Sequence, residues 1–279
     1  MKNTIYRCLW FDGDAKEAAE FYCTVFTQSK ITSESPMVVN FEAHGQKFMC
    51  LNGGADFNIN PSISFFVVYE TEKEVDEAWQ KLIEGGKEIM PLDTYPWSKK
   101  YGWLEDRFGV NWQLDYGNMD DVGQKFTPTL MFTGQQHGRA EEAINFYTSV
   151  FKDSSVTGIL KYTSEDNDIE GTVKHAQFKL GNSVIMAMDS SLADQSGFNE
   201  AVSLVVECET QQEIDYYWNK LTEGGAESNC GWLKDKFGVS WQIVPAILGK
   251  LMADQDKAPK VVQAFLQMKK FKIDKLVNA

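Results

Sequence analysis

One stretch of the sequence occurs twice, and this repeat constrains the fold more than any other feature. "GWLEDRFGVNWQ" occupies residues 102–113, and "GWLKDKFGVSWQ" occupies residues 231–242. Two further blocks recur in the same order: residues 8–26 match 130–151, and residues 63–86 match 202–225. A repeat of this length is a whole domain rather than a solenoid unit. The chain is therefore predicted to contain one domain twice.

The domain boundaries follow from where the matched blocks stop. A length of 279 residues fits about two domains. We predict a first domain over residues 1–120, a second over 121–250 and a C-terminal helical extension over 251–279. Apolar residues near the end of the chain recur at helical spacing, so the extension is expected to dock as helices on a domain. These residues are Val261, Val262, Phe265 and Leu266.

Local signals within each half alternate between strand and helix. Thr71 with Glu74, and Thr210 with Glu213, have the spacing of a capping box at a helix start. Asp14 with Glu17 has the same spacing near the N-terminus. The tetrad 106–109 has Asp first and Gly fourth, which is typical of a turn between two strands. Each half is therefore predicted to be strand–helix–strands twice over.

With these residues in place, the chain resembles the vicinal-oxygen-chelate (glyoxalase/bleomycin-resistance) superfamily. "LWFDGDAKEAAEFYCTVF", "SFFVVYETEKEVDEAW", "GWLKDKFGVSWQIVP" and "QMKKFKIDKL" resemble its PhnB-like branch, often labelled demethylubiquinone methyltransferase-like. The resemblance implies an α+β fold: tandem glyoxalase-like domains, each with two βαβββ modules, a curled mixed or antiparallel sheet around a cleft, and helices outside. Single-domain relatives that pair as dimers imply that the two halves form a pseudo-dimer, and a higher oligomer stays open.

Composition excludes several function classes. A formal charge of −13 and the lack of a basic, aromatic-rich run predict no nucleic-acid partner. No window has the apolar length of a membrane span or a signal peptide, so no membrane partner is expected. The five cysteines are odd in number and widely spaced, which favours a reducing compartment. A cytoplasmic protein is predicted.

The glutamine that closes each copy of the motif lies at a chemically important position. In metal-dependent members of the superfamily, the resemblance places a ligand Glu where this chain has Gln113 and Gln242. The other ligand positions fall near 7–8, 62–64, 128–131 and 201–203, where no His, Asp or Glu occurs. An amide oxygen carries no charge and needs good ligands beside it. No cofactor is predicted, although a divalent metal at a residual site stays open.

Among the histidines, only His175 lies in a strand pattern. In "TVKHAQFKL" it alternates with apolar residues, which places it on the polar face of a strand. There it would suit a general base, and a partly exposed strand histidine is the alternative. Its nearest counterpart in the first half is taken to be Asn40. Ser64 and Ser203 are candidate ligand-binding residues, with no elbow or relay that would indicate a nucleophile.

The halves differ after their second helix. Residues 87–101 form a long segment in the first half, whereas the second half has only "AESNC" at 226–230. Tyr95, Trp97 and Tyr101 in the long segment predict either an aromatic loop that stacks on a ligand or a surface loop with anchored aromatics. The repeated Trp103/Trp232 and Trp112/Trp241 are interpreted as core residues.

Two main functions fit these observations. One is binding or sequestration of a small molecule in a cleft; the other is a lyase, isomerase or dioxygenase that uses a residual metal site or His175. Methyl transfer is indicated only by the family label, because the glycine pairs 53–54, 85–86 and 224–225 lie at turns or helix ends rather than in a strand–glycine–helix turn. An interaction-only protein is a further alternative.

Overall fold

The computed structural model describes residues 4–192 and 196–279, which form four successive modules of one strand, one helix and three strands. Module 1 contains β1 (Ile5–Phe11), α1 (Ala15–Val25), β2 (Ser29–Glu34), β3 (Val38–Ala43) and β4 (Gln46–Asn52). Module 2 contains β5 (Ile63–Tyr69), α2 (Glu72–Leu82), β6 (Lys87–Tyr95), β7 (Ser98–Glu105) and β8 (Asn111–Tyr116). The short helix α3 (Met119–Val122) follows.

The second half repeats this order. Module 3 contains β9 (Phe126–Phe132), a 3₁₀ turn (Gly134–Gln136), α4 (Ala140–Val150), β10 (Ser155–Lys161), β11 (Val173–Leu180) and β12 (Ser183–Asp189). Module 4 contains β13 (Val202–Cys208), α5 (Gln211–Leu221), β14 (Ala226–Glu227), β15 (Trp232–Lys234) and β16 (Ser240–Pro245). Three helices end the chain: α6 (Leu248–Ala253), α7 (Ala258–Leu266) and α8 (Ile273–Val277).

The strands form two eight-stranded sheets, and each sheet combines modules from both halves. Sheet I has the order β14-β15-β16-β13-β1-β4-β3-β2 and joins modules 1 and 4. Sheet II has the order β10-β11-β12-β9-β5-β8-β7-β6 and joins modules 2 and 3. The joins are the antiparallel pairs β1–β13 and β5–β9. The division at residues 120 and 250 therefore stays a prediction about the repeating unit, because neither sheet is confined to one such unit.

Backbone hydrogen bonds show that the halves are related position by position. The Val68 amide donates to the Lys125 carbonyl, and the Glu207 amide donates to the Thr4 carbonyl. In the same way, the Met131 amide donates to the Ser62 carbonyl as the Trp10 amide donates to the Ala201 carbonyl. Met131 and Trp10 therefore occupy equivalent positions in the two halves.

The core lies on the helix-bearing face of both sheets. Phe48 of sheet I packs against Phe65 and Phe126 of sheet II, with ring centroids 5.9 and 5.4 Å apart. Tyr22 of α1 packs on Trp112 of β8 at 5.3 Å. Strand side chains alternate, so the residues next to these core positions lie on the opposite face of each sheet. That opposite face is where Gln113 and Gln242 lie.

The C-terminal extension compensates for the short segment in module 4. In module 2 the long strand β6 pairs with β7, whereas β14 has only two residues. In module 4 the amides of Cys230 and Gly231 instead donate to the carbonyls of Met268 and Lys269. The Phe271 ring lies so close to Gly231 that a Cβ there would be 2.5 Å from it. The segment after α7 thus takes the place of the missing edge strand.

One of the three predicted helix caps needs correction. Asp14 precedes α1, but its side chain makes no cap hydrogen bond; the Ala15 amide donates to Asn52 Oδ1 instead. A long-range side chain has replaced the local cap. Thr71 does cap α2, and Thr210 with Glu213 forms the complete box. In the described part of the chain, no helix combines the length and the apolar character needed to cross a membrane.

Candidate functional site

The sheet II face opposite the core carries a chain of buried polar groups, which we call the Gln113 face. The Tyr101 hydroxyl donates to Gln113 Oε1 at 2.9 Å, and Gln113 Nε2 donates to Ser64 Oγ at 2.7 Å. Trp112, the neighbour of Gln113 on β8, is fully buried in the core. Strand alternation therefore sets the position of Gln113, and Tyr101 fixes which way its amide points.

An aromatic group extends this chain to the surface. Trp97 is 61% exposed at the β6–β7 hairpin and stacks on Tyr95, with centroids 5.0 Å apart and planes 24° apart. Both rings pack edge-on against Tyr101, at 5.7 Å for Tyr95 and 5.9 Å for Trp97. The segment 87–101 is thus a hairpin whose aromatic side chains reach from solvent to the hydrogen bond on Gln113.

Apolar side chains cover the polar chain. They form one cluster of methionine and aromatic residues on this face, consisting of Tyr101, Trp103 and Met131 with Phe66, Met90, Tyr95 and Met188. Trp103 belongs here, and its Nε1 donates to Asn111 Oδ1. The interpretation of Trp103, Trp112 and Trp241 as core residues is confirmed: Trp103 is buried in this smaller cluster, and Trp112 and Trp241 are fully buried in the main core. Trp232 is only partly buried and packs edge-on against Trp10, which is also in sheet I.

His175 lies on the same face, at the far side of sheet II. Its neighbour Ala176 is buried, and His175 itself is exposed. No described residue hydrogen-bonds to its imidazole, and desolvation by neighbouring atoms lowers its pKa below 6.5. At the turn between β11 and β12, Leu180 pairs with Ser183, just as Ala43 pairs with Gln46 at the turn between β3 and β4. His175 precedes Leu180 by the same number of residues as Val38 precedes Ala43, so Val38 is its counterpart. The assignment to Asn40 was wrong because it was made without the strand register.

The structure adds one polar residue that sequence reasoning missed. Thr129 of β9 pairs with Ser64 across the β5–β9 join, is 3% exposed, and its Oγ1 has no hydrogen-bond partner among the described residues. The alternation in "FTPTLMF" of β9 indicates its face, since Leu130 next to it is a core residue. The join between β5 and β9 is not visible in the sequence.

The corresponding face of sheet I, the Gln242 face, holds the two remaining predicted residues. Gln242 Nε2 donates to Ser203 Oγ at 2.9 Å. Cys8 stands opposite Ser203, and burial raises the pKa of its thiol to about 12 against hydrogen bonds from Gln242 and Ser203 that lower it. Trp10 lies edge-on between Phe57 and Trp232, at 5.2 and 5.8 Å. The predicted site residues thus divide between two sheets.

The donor set at the two glutamines does not fit a divalent metal. Gln113 Oε1 already accepts from Tyr101, and its nearest polar neighbours are the neutral hydroxyls of Ser64 and Thr129. Over residues 4–192 and 196–279, no three His, Cys, Asp or Glu side chains come together in a ligand cluster. Divalent cations bind well to carboxylate, imidazole or thiolate groups, and neither glutamine has three such groups around it among the described residues.

Two buried carboxylates explain why the repeated motif is so similar in the two halves. Tyr22 Oη and Trp112 Nε1 both donate to Asp106 Oδ2, while the amides of Phe108 and Val110 donate to Oδ1. Asp235 has the matching set from Tyr147, Trp241, Phe237 and Val239. Burial raises the pKa of each carboxyl to about 6. These groups tie the turn to the first helix of each half.

A surface pocket lies away from both glutamine faces. Its volume is about 500 Å³, and it lies between the ends of α4 and α5 and the β11–β12 turn, with Phe151, Thr210 and Tyr217 in its wall. The equivalent place in the first half is bridged by a hydrogen bond between Thr27 and His44. None of the predicted site residues lines it.

Comparison with known proteins supports this architecture. Glyoxalase I from Zea mays has a TM-score of 0.61 at 12% identity, covering 91% of this chain and 97% of that one. Its likeness, with two mixed eight-stranded sheets and helices outside, confirms the expected tandem glyoxalase-like α+β fold.

Two single-domain structures each match 39% of this chain. A putative 3-demethylubiquinone-9 3-methyltransferase, the PhnB protein from Bacillus cereus, has 40% identity, 96% of its own length covered and a TM-score of 0.37. A glyoxalase-related enzyme from Fulvimarina pelagi has 17% identity, 86% covered and a TM-score of 0.33. No curated protein matches the chain.

The family model described as 3-demethylubiquinone-9 3-methyltransferase matches residues 3–115 and again residues 124–244. These two regions hold both copies of the motif and both glutamines. The chain therefore belongs to this PhnB-like family of the glyoxalase superfamily, with the family's domain present twice.

Proposed function

We propose that the protein binds a small molecule on the Gln113 face. The observation that carries this proposal is the continuous path from the exposed Trp97, through Tyr101 and Gln113, to the buried Ser64. An exposed ring stacked beside an ordered polar floor provides both contact area and orientation for a ligand. Isolated exposed rings need no explanation, whereas this one is held by two others.

The apolar side chains that cover Gln113 and Ser64 are of a kind that can repack around a ligand. Met131 and Met188 belong to the cluster above the polar chain. Methionine is unbranched and adapts its shape, so binding surfaces that must repack often use it. A ligand would displace these side chains while Gln113 stays fixed by its two hydrogen bonds.

Ligand-observed NMR against a set of neutral aromatic fragments tests the proposal. Trp97→Ala removes an exposed ring and is expected to weaken fragment binding by about tenfold, the scale of one lost stacking contact, while lowering the free energy of unfolding by only about 1 kcal/mol. Leu266→Ala is the matched control, because Leu266 is 56% exposed on α7. Fragment binding that is equal in the wild type and the Trp97→Ala protein would contradict the proposal.

A second candidate is metal-free base catalysis by His175. It is favoured by the position of His175 on the same face and by its lowered pKa, which keeps the imidazole neutral near pH 7. His175→Gln would then abolish turnover and leave fragment binding intact. Unchanged exchange or turnover of a bound ligand in this variant would rule out the role.

Methyl transfer is named in the family description, but nothing in this chain's glycine pattern supports it. Gly85 and Gly224 end helices α2 and α5 with φ of +76° and +75°. A nucleotide-type cofactor site instead needs glycines that open a helix after a strand. We do not extend that activity to this protein.

The cellular setting is also a proposal. All five cysteines are unpaired, which fits a reducing compartment such as the cytoplasm. Because each sheet already joins both halves, one chain supplies the pairing that single-domain relatives would need a second chain for. Further oligomerisation is not required for either face.

A further inference from the structure

The buried polar groups of the Gln113 face are Gln113, Ser64 and Thr129, and we call them its floor. They include hydroxyl groups whose protons have no acceptor among the described residues. Ser64 Oγ accepts from Gln113, and no described residue accepts the Ser64 hydroxyl proton. Thr129 Oγ1, directly across the β5–β9 join, is buried and has no partner within residues 4–192 and 196–279. A buried hydroxyl without a partner is costly, and such groups in a binding face indicate a missing ligand atom.

The carbonyl acceptor on this floor is already used. Gln113 Oε1 is taken by the Tyr101 hydroxyl, so the amide presents its N–H side towards Ser64. A ligand donor could use only the remaining lone pairs of the Ser64 and Thr129 hydroxyls and would leave their protons unpaired, whereas a ligand acceptor would pair both protons. The floor therefore selects for an oxygen that accepts hydrogen bonds.

Charge excludes the ionised acceptors. The floor groups Gln113, Ser64 and Thr129 are neutral, and a buried ligand charge without a counter-charge is strongly unfavourable. Asp115, two residues beyond Gln113 on β8 and opposite Tyr101, has its pKa raised by burial. A ligand carboxylate would add a further negative charge to the face that carries Asp115. An uncharged carbonyl compound remains.

We propose that the Gln113 face binds an uncharged aryl carbonyl compound, with its carbonyl oxygen accepting from Ser64 and Thr129 and its ring beneath the methionine and aromatic cover. This rests on the proposed function and adds the chemical class of the ligand. The Gln242 face differs: Cys8 stands where Thr129 does, so its unpartnered hydroxyl is Ser240, on the other side of Ser203, and Trp10 occupies the position of Met131.

The test uses three probes of one shape with the whole chain: 2-acetylnaphthalene, 2-ethylnaphthalene and 2-naphthoate. Dissociation constants are measured by saturation-transfer NMR titration. The ketone is expected to bind on the order of tenfold more tightly than the hydrocarbon, the effect of one or two good hydrogen bonds. The carboxylate is expected to bind most weakly.

Thr129→Val is the decisive variant because it keeps the shape and removes only the hydroxyl. It should reduce the preference for ketone over hydrocarbon at least threefold while leaving hydrocarbon binding unchanged. Ser240→Ala is the matched control: Ser240 Oγ is also buried and unpartnered, but it lies on the strand that carries Gln242. This control should leave the preference intact.

The outcomes separate the two proposals. If no probe binds, or if Trp97→Ala binds all three as the wild type does, the Gln113 face is not the site and both proposals fail. If the hydrocarbon binds as tightly as the ketone, if the carboxylate binds best, or if Thr129→Val keeps the full preference, the carbonyl assignment alone is overturned.

Discussion

The Gln113 face and the Gln242 face have the same backbone and different floors. Both hold a glutamine that donates to a serine on the neighbouring strand, at 2.7 and 2.9 Å. Around this shared pair, the first has Thr129 and Met131 where the second has Cys8 and Trp10. One set of residues thus fixes the duplicated scaffold, and a different set closes each face.

The Gln242 face is filled by its own side chains. Trp10 Nε1 donates to the Gly54 carbonyl, and its ring lies so close to Gly53 that a Cβ there would be 2.1 Å away. At the equivalent position Met131 belongs to an adaptable cluster. One face is therefore closed by a rigid ring and the other by side chains that can move.

Removing the buried carboxyl that both halves share should have the strongest effect on stability. Asp106→Ala and Asp235→Ala each leave four buried donors without an acceptor. Each should lower the free energy of unfolding by more than about 4 kcal/mol, at 1–3 kcal/mol for each unpaired group. Urea denaturation measures this, with the exposed Glu77→Ala as a control that costs less than about 0.5 kcal/mol. Strongly unequal costs would show that the two turns are not equivalent.

A pH effect follows from the same carboxyls. Their pKa rises from 3.8 to about 6 on folding, so the protonated form is favoured in the folded state. The stability that each contributes is present below pH 3.8 and is lost as the pH rises through 6, by about 3 kcal/mol for this shift. The difference in unfolding free energy between the wild type and Asp106→Asn should therefore fall between these pH values. A difference that rises with pH would contradict the assignment.

Exchanging the side chains that close the two faces should exchange their properties. Trp10→Met loses two ring contacts and the bond to Gly54, and should cost about 2 kcal/mol in unfolding free energy. Met131→Trp should fill the Gln113 face and weaken the binding of neutral aryl probes by about tenfold or more. Calorimetry and the NMR titration measure the two effects. Full probe binding by Met131→Trp would show that the ligand lies elsewhere.

The sequence predicted features that depend on residues close together along the chain, and it did not predict features that depend on pairing between distant strands. The repeat predicted the modules and the turn at Asp106, because those signals are local. Strand alternation separated Gln113 from Trp112 for the same reason. Modules 1 and 4 share one sheet because β1 pairs with β13. The sequence does not predict this pairing, since the two similar halves contain strands with the same local pattern that β1 could equally pair with.

The site residues show the same limit. Gln113 was indicated by the motif, Tyr101 and Trp97 by the aromatic segment, and Ser64 by the ligand positions that the resemblance implies. These residues lie on one face. Thr129 was missed because only the β5–β9 register brings it opposite Ser64. Asn40 was wrongly taken as the counterpart of His175 for a related reason. The sequence alone does not reveal a shift of two residues along a strand, and only the pairing next to the turn identifies Val38.

The smallest expected effect concerns the unpartnered hydroxyls. Thr129→Val and Ser240→Ala each remove a buried oxygen that has no partner among the described residues. Each should raise the free energy of unfolding by about 1 kcal/mol, because the desolvation penalty disappears. Thermal denaturation without ligand measures this. A loss of stability in Thr129→Val would mean that its hydroxyl already has a partner.

A crystal structure of this chain with 2-acetylnaphthalene would show directly which face binds the ligand. We expect one molecule on the Gln113 face, with its carbonyl oxygen within hydrogen-bond distance of Ser64 and Thr129 and with Met131 displaced. The same molecule on the Gln242 face, or in the pocket beside Phe151 and Tyr217, would contradict the division of the two faces.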